Sequence, residues 1–168
     1  MNATALRPTI QMLKAVNLLQ SFADQELNHL LQMGTMNSAE AHSNIVIEGE
    51  LTGGLFVLLD GIVGVYKNNQ LTGTMYDIGQ LRAGSAFGEM SLIDNNPRSA
   101  TVRALTDCHM FFLSREAFQK FLSTSIDLKL RFYESCIRTI VQRVRQLDES
   151  YVISQYQLWK TALKKEAA

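Results

Sequence analysis

Residues 87–104 read Phe87-Gly88-Glu89-Met90-Ser91-Leu92-Ile93-Asp94-Asn95-Asn96-Pro97-Arg98-Ser99-Ala100-Thr101-Val102-Arg103-Ala104. Gly84 and Gly88 bracket a short loop after a predicted strand. Glu89 to Ile93 suit one helical turn, and Pro97 ends it. A glycine at a helix start lets a ligand approach the free backbone N–H groups, and those groups with the helix dipole favour an anion. Arg98 follows ten residues after Gly88, and a guanidinium can hold two phosphate oxygens at once. The hydroxyls of Ser99 and Thr101 are further donors. Glu89 is the odd member, because a carboxylate repels phosphate. It fits if it accepts from a hydroxyl such as that of a ribose, or if it balances Arg98. Phosphate donors beside a hydroxyl acceptor describe a nucleotide-sized ligand, whereas a surface turn with a Glu–Arg pair is the plainer reading. Spacing alone leaves both open.

Outward from this segment, residues 40–113 alternate short apolar stretches with Gly and Asn punctuation. The stretches are Asn44-Ile45-Val46-Ile47, Leu55-Phe56-Val57-Leu58-Leu59, Ile62-Val63-Gly64-Val65-Tyr66 and Met110-Phe111-Phe112-Leu113. Strands this short and this regularly spaced predict an antiparallel sandwich or barrel. Asp60-Gly61, between two apolar runs, is the strongest hairpin signal in the chain. Asn95-Asn96-Pro97 reads as a turn, not a domain boundary.

Helices flank the strands. In residues 1–35, Leu27, Leu30 and Leu31 have helical spacing, with Ser21 or Asp24 as a cap and Gly34 as a stop. Ser114 precedes Arg115-Glu116-Ala117-Phe118 as a cap and first turn. From Asp127 onward there is neither Gly nor Pro. Leu130, Ile137, Val144, Tyr151 and Leu158 fall at heptad position a, and Tyr133, Ile140, Leu147 and Ser154 at d. Lys129 and Arg143 then lie at g and Glu134 and Asp148 at e, which sets opposite charges across the seam of a parallel dimer. A helix of roughly 35 residues is about 50 Å long, longer than a small barrel can cover. The expectation is a homodimer through residues 127–158, although the first turns suit packing on the chain's own barrel.

Composition narrows the function. The 168 residues suit one core, and Lys plus Arg equals Asp plus Glu at 16 each. A domain that grips nucleic acid or anionic lipid through field strength is basic, and this one is not. Cys108 and Cys136 stand far apart, which makes neither a disulfide framework nor a zinc spacing and suits a reducing compartment. No apolar run reaches membrane-spanning length, and the N-terminus does not read as a signal peptide. These features predict a soluble, cytoplasmic protein without a metal or cofactor. His29, His42 and His109 are scattered, so a metal-dependent enzyme on a small barrel lacks its ligands. No nucleophile has a neighbouring base, and no catalytic residue is assigned.

The segments Gly88-Glu89-Met90-Ser91-Leu92-Ile93 and Pro97-Arg98-Ser99-Ala100-Thr101-Val102-Arg103-Ala104 resemble the phosphate-binding cassette of cyclic-nucleotide-binding domains. These domains occur in catabolite activator protein, the regulatory subunit of protein kinase A and cyclic-nucleotide-gated channels. The resemblance extends to Leu59-Asp60-Gly61-Ile62-Val63-Gly64-Val65 and to the flanking helices, over roughly residues 10–155. It implies a mainly β fold with flanking helices. A β jelly roll (double-stranded β-helix) and its N-terminal helices would occupy residues 1–125, and a long C-terminal dimerisation helix residues 126–168.

It also implies roles. Arg98 binds the exocyclic oxygens of a cyclic phosphate and Glu89 accepts from the ribose 2′-hydroxyl. Backbone N–H groups near Gly88, Met90, Ser91 and Ser99 complete the cradle, beside Ala100. Val65 and Leu81 line the base side, and Thr139, Ile140 and Arg143 of the long helix cap the base. Arg143 is thus claimed twice, as base cap and as a partner across the helix seam. The implied function is a sensor of one cyclic mononucleotide, cAMP rather than cGMP, that acts through its C-terminal helix on an unidentified protein partner. Activator-type relatives continue into a DNA-reading helix-turn-helix. The segment from Gln155 to Ala168 is too short for one, so direct DNA binding is not expected. Two other readings are the regulatory part of a larger protein and a dimeric scaffold with a vestigial pocket. Keeping both Glu89 and Arg98 speaks against the latter, since a buried charge pair is costly to desolvate.

Overall fold

The structure, a computed structural model, describes residues 7–94 and 96–166. The first six residues of the predicted first unit, Asn95 of the predicted turn, and Ala167 and Ala168 lie outside the described residues. Two short helices, α1 (Ile10–Lys14) and α2 (Asp24–Met33), precede eight strands: β1 (Thr35–Ala39), β2 (Asn44–Val46), β3 (Gly54–Asp60), β4 (Ile62–Asn68), β5 (Met75–Arg82), β6 (Ala86–Phe87), β7 (Thr101–Ala104) and β8 (Cys108–Ser114). Helix α3 (Met90–Asp94) lies between β6 and β7, and α4 (Arg115–Leu122) and α5 (Ile126–Glu166) follow β8. The strands form two four-stranded sheets, β1-β8-β3-β6 and β2-β7-β4-β5, antiparallel at every pairing. This is the expected jelly roll with flanking helices.

The alternation of side chains along β3 explains why its run is apolar without a break. Phe56 and Leu58 point between the sheets, into a core with Val63, Phe87, Val102 and Met110. Leu55, Val57 and Leu59 point the other way, into a second core with Leu19 of the segment between α1 and α2 and with Leu27, Phe118, Phe121 and Phe132 of the helices. Strand β8 divides likewise, Met110 inward and Phe111 and Leu113 toward the helices. A strand covered on both faces needs a continuous apolar sequence, and each fully buried Leu or Phe contributes about 1.5–3 kcal/mol.

One turn expectation is corrected. Asp60-Gly61 does not close a hairpin: β3 and β4 lie in different sheets, and the dipeptide carries the chain from one sheet to the other. Gly61 has φ +97°, and a Cβ there would meet Asp107 O at 2.6 Å and Cys108 Sγ at 2.7 Å. A corner and a hairpin thus need the same glycine, and the apolar flanks alone do not separate them. The antiparallel β4–β5 pair is the hairpin, turned through Asn69 to Thr74, where Asn69 Oδ1 accepts from Leu71 N and Thr72 N.

The expected N-terminal helices are two, and the cap of the second is corrected. Ala23, rather than Ser21 or Asp24, occupies the α2 N-cap, with its N–H donating to Glu26 Oε2 at 2.7 Å. Gly34 does end α2, and a side chain there would run into the Phe111 ring.

Helix α5 has 41 residues, about 60 Å at 1.5 Å per residue. Its first turns pack inward through Leu128, Phe132 and Cys136. From Ile140 to Lys160 every residue is exposed. Arg131 holds α5 to α2: its Nη1 and Nη2 reach Glu26 at 3.1 and 2.6 Å, and it also bonds Asp127 Oδ2 and Ser21 O. The Arg131 hydrogen bonds hold the Glu26 carboxyl below the usual range; burial opposes this, and the Ala23 N–H and the arginine charge assist. A carboxylate with a depressed folded pKa stabilises above its unfolded pKa, and loses that contribution as pH falls. Glu26→Gln is therefore expected to lower the melting temperature at pH 7 by about 2–4 °C, for a loss of about 1 kcal/mol. The gap from wild type should shrink toward pH 3. An equal gap at both pH values in calorimetric scans would refute this role for the pair.

Among the described residues, no helix is long and apolar enough to cross a membrane.

Candidate functional site

Helix α3 and the loop before it are shaped by Gly88. Its φ is +85°, and a Cβ there would collide with Arg98 Nη1 and lie 2.5 Å from Gly54 O. Glycine is thus required twice, for the backbone turn and for the approach of the guanidinium.

Arg98 is 5% exposed. Its Nη1 donates to Gly54 O at 3.0 Å, Gly88 O at 3.2 Å and Ser91 Oγ at 3.1 Å, and its Nε to Thr52 Oγ1 at 3.3 Å. Ser91 Oγ in turn donates to Gly88 O at 2.9 Å. The guanidinium carbon stands 5.9 Å from the Phe56 ring centroid. Burial, then the charge of Arg115, pull this guanidinium below the ordinary arginine range, while Glu89 and Glu50 act against them. An arginine remains a cation even so. Two nitrogens are spent on the framework, and Nη2 makes no hydrogen bond among the described residues. The framework thus aims a fork whose free end is suited to an anion.

Glu89 precedes α3 and is 7% exposed. Its Oε1 accepts from Arg143 Nη1 of α5 at 2.6 Å. The structure pairs Arg143 with Glu89 inside the protomer, a contact that neither expectation for Arg143, base cap or seam partner, names. No donor within the described residues meets Oε2, which leaves an acceptor for a hydroxyl. Cys136, about two turns earlier on α5, has its thiol pushed up to about 12 by burial and then by the Glu89 charge, so it is inert as a nucleophile.

The other predicted positions are dispersed around this centre. Met90 opens α3, and Ser99 and Ala100 lie on the segment entering β7. Ser99 O accepts from Lys67 Nζ at 2.6 Å, and Lys67 also pairs with Glu48 at 2.6 Å, which ties the cassette's far end to β4. Ser99 Oγ donates to Met90 Sδ at 3.6 Å. Val65 on β4 and Leu81 on β5 are half-buried on neighbouring strands of one sheet, opposite Gly79 and Val63 respectively. Thr139 donates to Ser135 O and lines a cleft of about 390 Å³ with Asn17, Gln20 and Gln142. Ile140 is exposed on α5.

Sequence reading missed Thr52 and Gly54, which receive Arg98, and Lys67, which holds Ser99. The pair Gly53-Gly54 before an apolar strand was the available signal, since glycine in a strand marks close backbone approach.

A buried arginine with Nη2 unspent and a buried acid, held beside a glycine turn in a jelly roll, form an arrangement suited to a small anionic ligand. The description of the cyclic nucleotide-binding domain matches residues 36–125, and the chain belongs to that family. It is 26% identical over 131 residues to a cAMP-dependent protein kinase type II regulatory subunit of Drosophila melanogaster, covering 78% of this chain and 33% of the relative. It is 31% identical over 103 residues to the cGMP-dependent protein kinase egl-4 of Caenorhabditis elegans, covering 61% of this chain and 12% of the relative. The chain thus spans a third or less of these two relatives. A solved cyclic nucleotide-binding domain from Methylobacillus flagellatus KT superposes with a TM-score of 0.71 at 26% identity, over 82% of this chain and 76% of that one.

Proposed function

We propose that the chain is a sensor of one cyclic mononucleotide per protomer, cAMP in preference to cGMP, and that it binds its ligand without transforming it. The observation that carries this reading is the Arg98 fork, anchored through Nη1 and Nε with Nη2 free, and close enough to the buried Glu89 carboxylate to feel its charge. In this reading Nη2 takes an exocyclic phosphate oxygen and Glu89 Oε2 takes the 2′-hydroxyl. The N–H groups around Gly88, Met90, Ser91, Ser99 and Ala100 surround the phosphate, and Val65 and Leu81 meet the base. The preference for cAMP draws on the longer match to the cAMP-dependent relative, 131 residues against 103.

The response would run through α5. Arg143 ties this helix to the carboxylate that the ribose would use, so a ligand engaging Glu89 changes how firmly α5 is held. A ligand shifts such an equilibrium by its differential contacts with the two arrangements. Helix α5 would also join two protomers through residues 127–158 and present its geometry to a protein partner, in a reducing, cytoplasmic setting. Thr139 fits the base-capping role only if α5 turns, because it faces the cleft lined by Asn17 and Gln20.

Thermal scans with cAMP, cGMP and 5′-AMP test the reading. At 100 times the dissociation constant a bound ligand adds about 2.7 kcal/mol, so cAMP should raise the melting temperature most and 5′-AMP least. No shift with either cyclic nucleotide at about millimolar concentration would overturn it.

A further inference from the structure

Arg115, the first residue of α4, stands where a cation is unfavourable on three counts. It occupies the first turn of a helix capped by Ser114, where the helix dipole disfavours positive charge. Its Nε is the one buried side-chain polar atom among the described residues that lacks a hydrogen-bond partner. It also shares a loop with another guanidinium. Residues 52–54 receive Arg98 at their two ends, at Thr52 Oγ1 and Gly54 O. Arg115 packs against the middle of the same loop, where a Cβ on Gly53 would collide with Nε and lie 2.7 Å from Cζ. The two arginines feel each other's charge. A buried polar group without a partner calls for a reason, and rules of local stability are broken most often where function requires it.

We propose that Arg115 is a second cationic residue of the phosphate wall. It is a positioning residue that backs the 52–54 loop against Arg98 and adds positive potential, which the bound cyclic phosphate offsets. This inference rests on the cyclic-nucleotide reading of the cassette. Arg115 and Arg98 repel each other; the Asp94 and Glu116 carboxylates feel the Arg115 charge, and a bound anion adds compensation for both arginines. Arg115 therefore weakens the free protein and strengthens the complex. A residue that merely packs would stabilise both.

The test uses the full chain, with cAMP titrated calorimetrically into wild type, Arg115→Met and Arg115→Lys at low and high salt, and with thermal scans of the ligand-free proteins. Arg115→Met should raise the cAMP dissociation constant about three- to tenfold at low salt, with the difference narrowing at high salt, as for a charge acting over several ångströms. Its ligand-free melting temperature should equal or exceed that of wild type, and Arg115→Lys should recover most of the affinity. Unchanged affinity in Arg115→Met while wild type binds would overturn the role of Arg115 alone. So would a lower ligand-free melting temperature with no rescue by lysine. If wild type itself binds no cyclic nucleotide, the reading of the cassette fails and this inference with it.

Discussion

Arg98→Ala is expected to weaken cAMP binding by about 2–4 kcal/mol, roughly 30- to 1,000-fold. The substitution removes the proposed phosphate donor and also the group that connects Gly54 O, Gly88 O, Ser91 Oγ and Thr52 Oγ1. The ligand-free protein should therefore also melt earlier, since buried acceptors lose their donor. Arg98→Lys separates the two effects. Lysine keeps the charge but cannot reach the framework with two nitrogens while offering a third to the phosphate. It should restore part of the stability and little of the affinity. Calorimetric titration of both variants, with circular dichroism to verify the fold, measures the difference. Wild-type affinity in either variant would place the anion elsewhere.

The second large effect concerns α5. Along the seam, Ile137, Ile140, Val144, Leu147 and Tyr151 are between 49% and 67% exposed within one protomer. Apolar residues repeating every three and four positions over this length suit a second helix. The wild-type chain is expected to sediment at twice its 18.9 kDa mass. Ile140→Asp would set a carboxylate from each protomer into that seam. An uncompensated buried charge costs roughly 3–5 kcal/mol, which raises the dimer dissociation constant several hundredfold or more. Because Ile140 is exposed in the protomer, the helix content and the β core should be unchanged. A dimer that survives the substitution would disprove this register, and a monomeric wild type would disprove the seam.

The sequence was most legible where one residue type answers one geometric need. Gly88 and Arg98 could be read because a left-handed turn and a planar cation have few substitutes. The apolar stripe of α5 could be read because its residues recur at helical spacing from Leu130 to Leu158, and they stand exposed within the protomer. The turn at Asp60-Gly61 was misassigned for a complementary reason: a sheet-crossing corner and a hairpin demand the same backbone freedom, and which strands pair is a long-range matter. Strand β5 is exposed along nearly its whole length, so it lacks the alternation that marks a half-buried strand. The receiving groups for Arg98 were hidden because two of them, Gly54 O and Gly88 O, are backbone carbonyls, which every residue carries. Arg143 was read both as a seam charge and as a cap, and only the packing of α5 on the cassette brought it to Glu89.

The most direct measurement is a crystal structure grown with cAMP. The account predicts an exocyclic phosphate oxygen about 3 Å from Arg98 Nη2 and the 2′-hydroxyl on the Glu89 carboxylate. Nucleotide bound elsewhere, or a cassette closed by its own side chains while the ligand binds in solution, would contradict it.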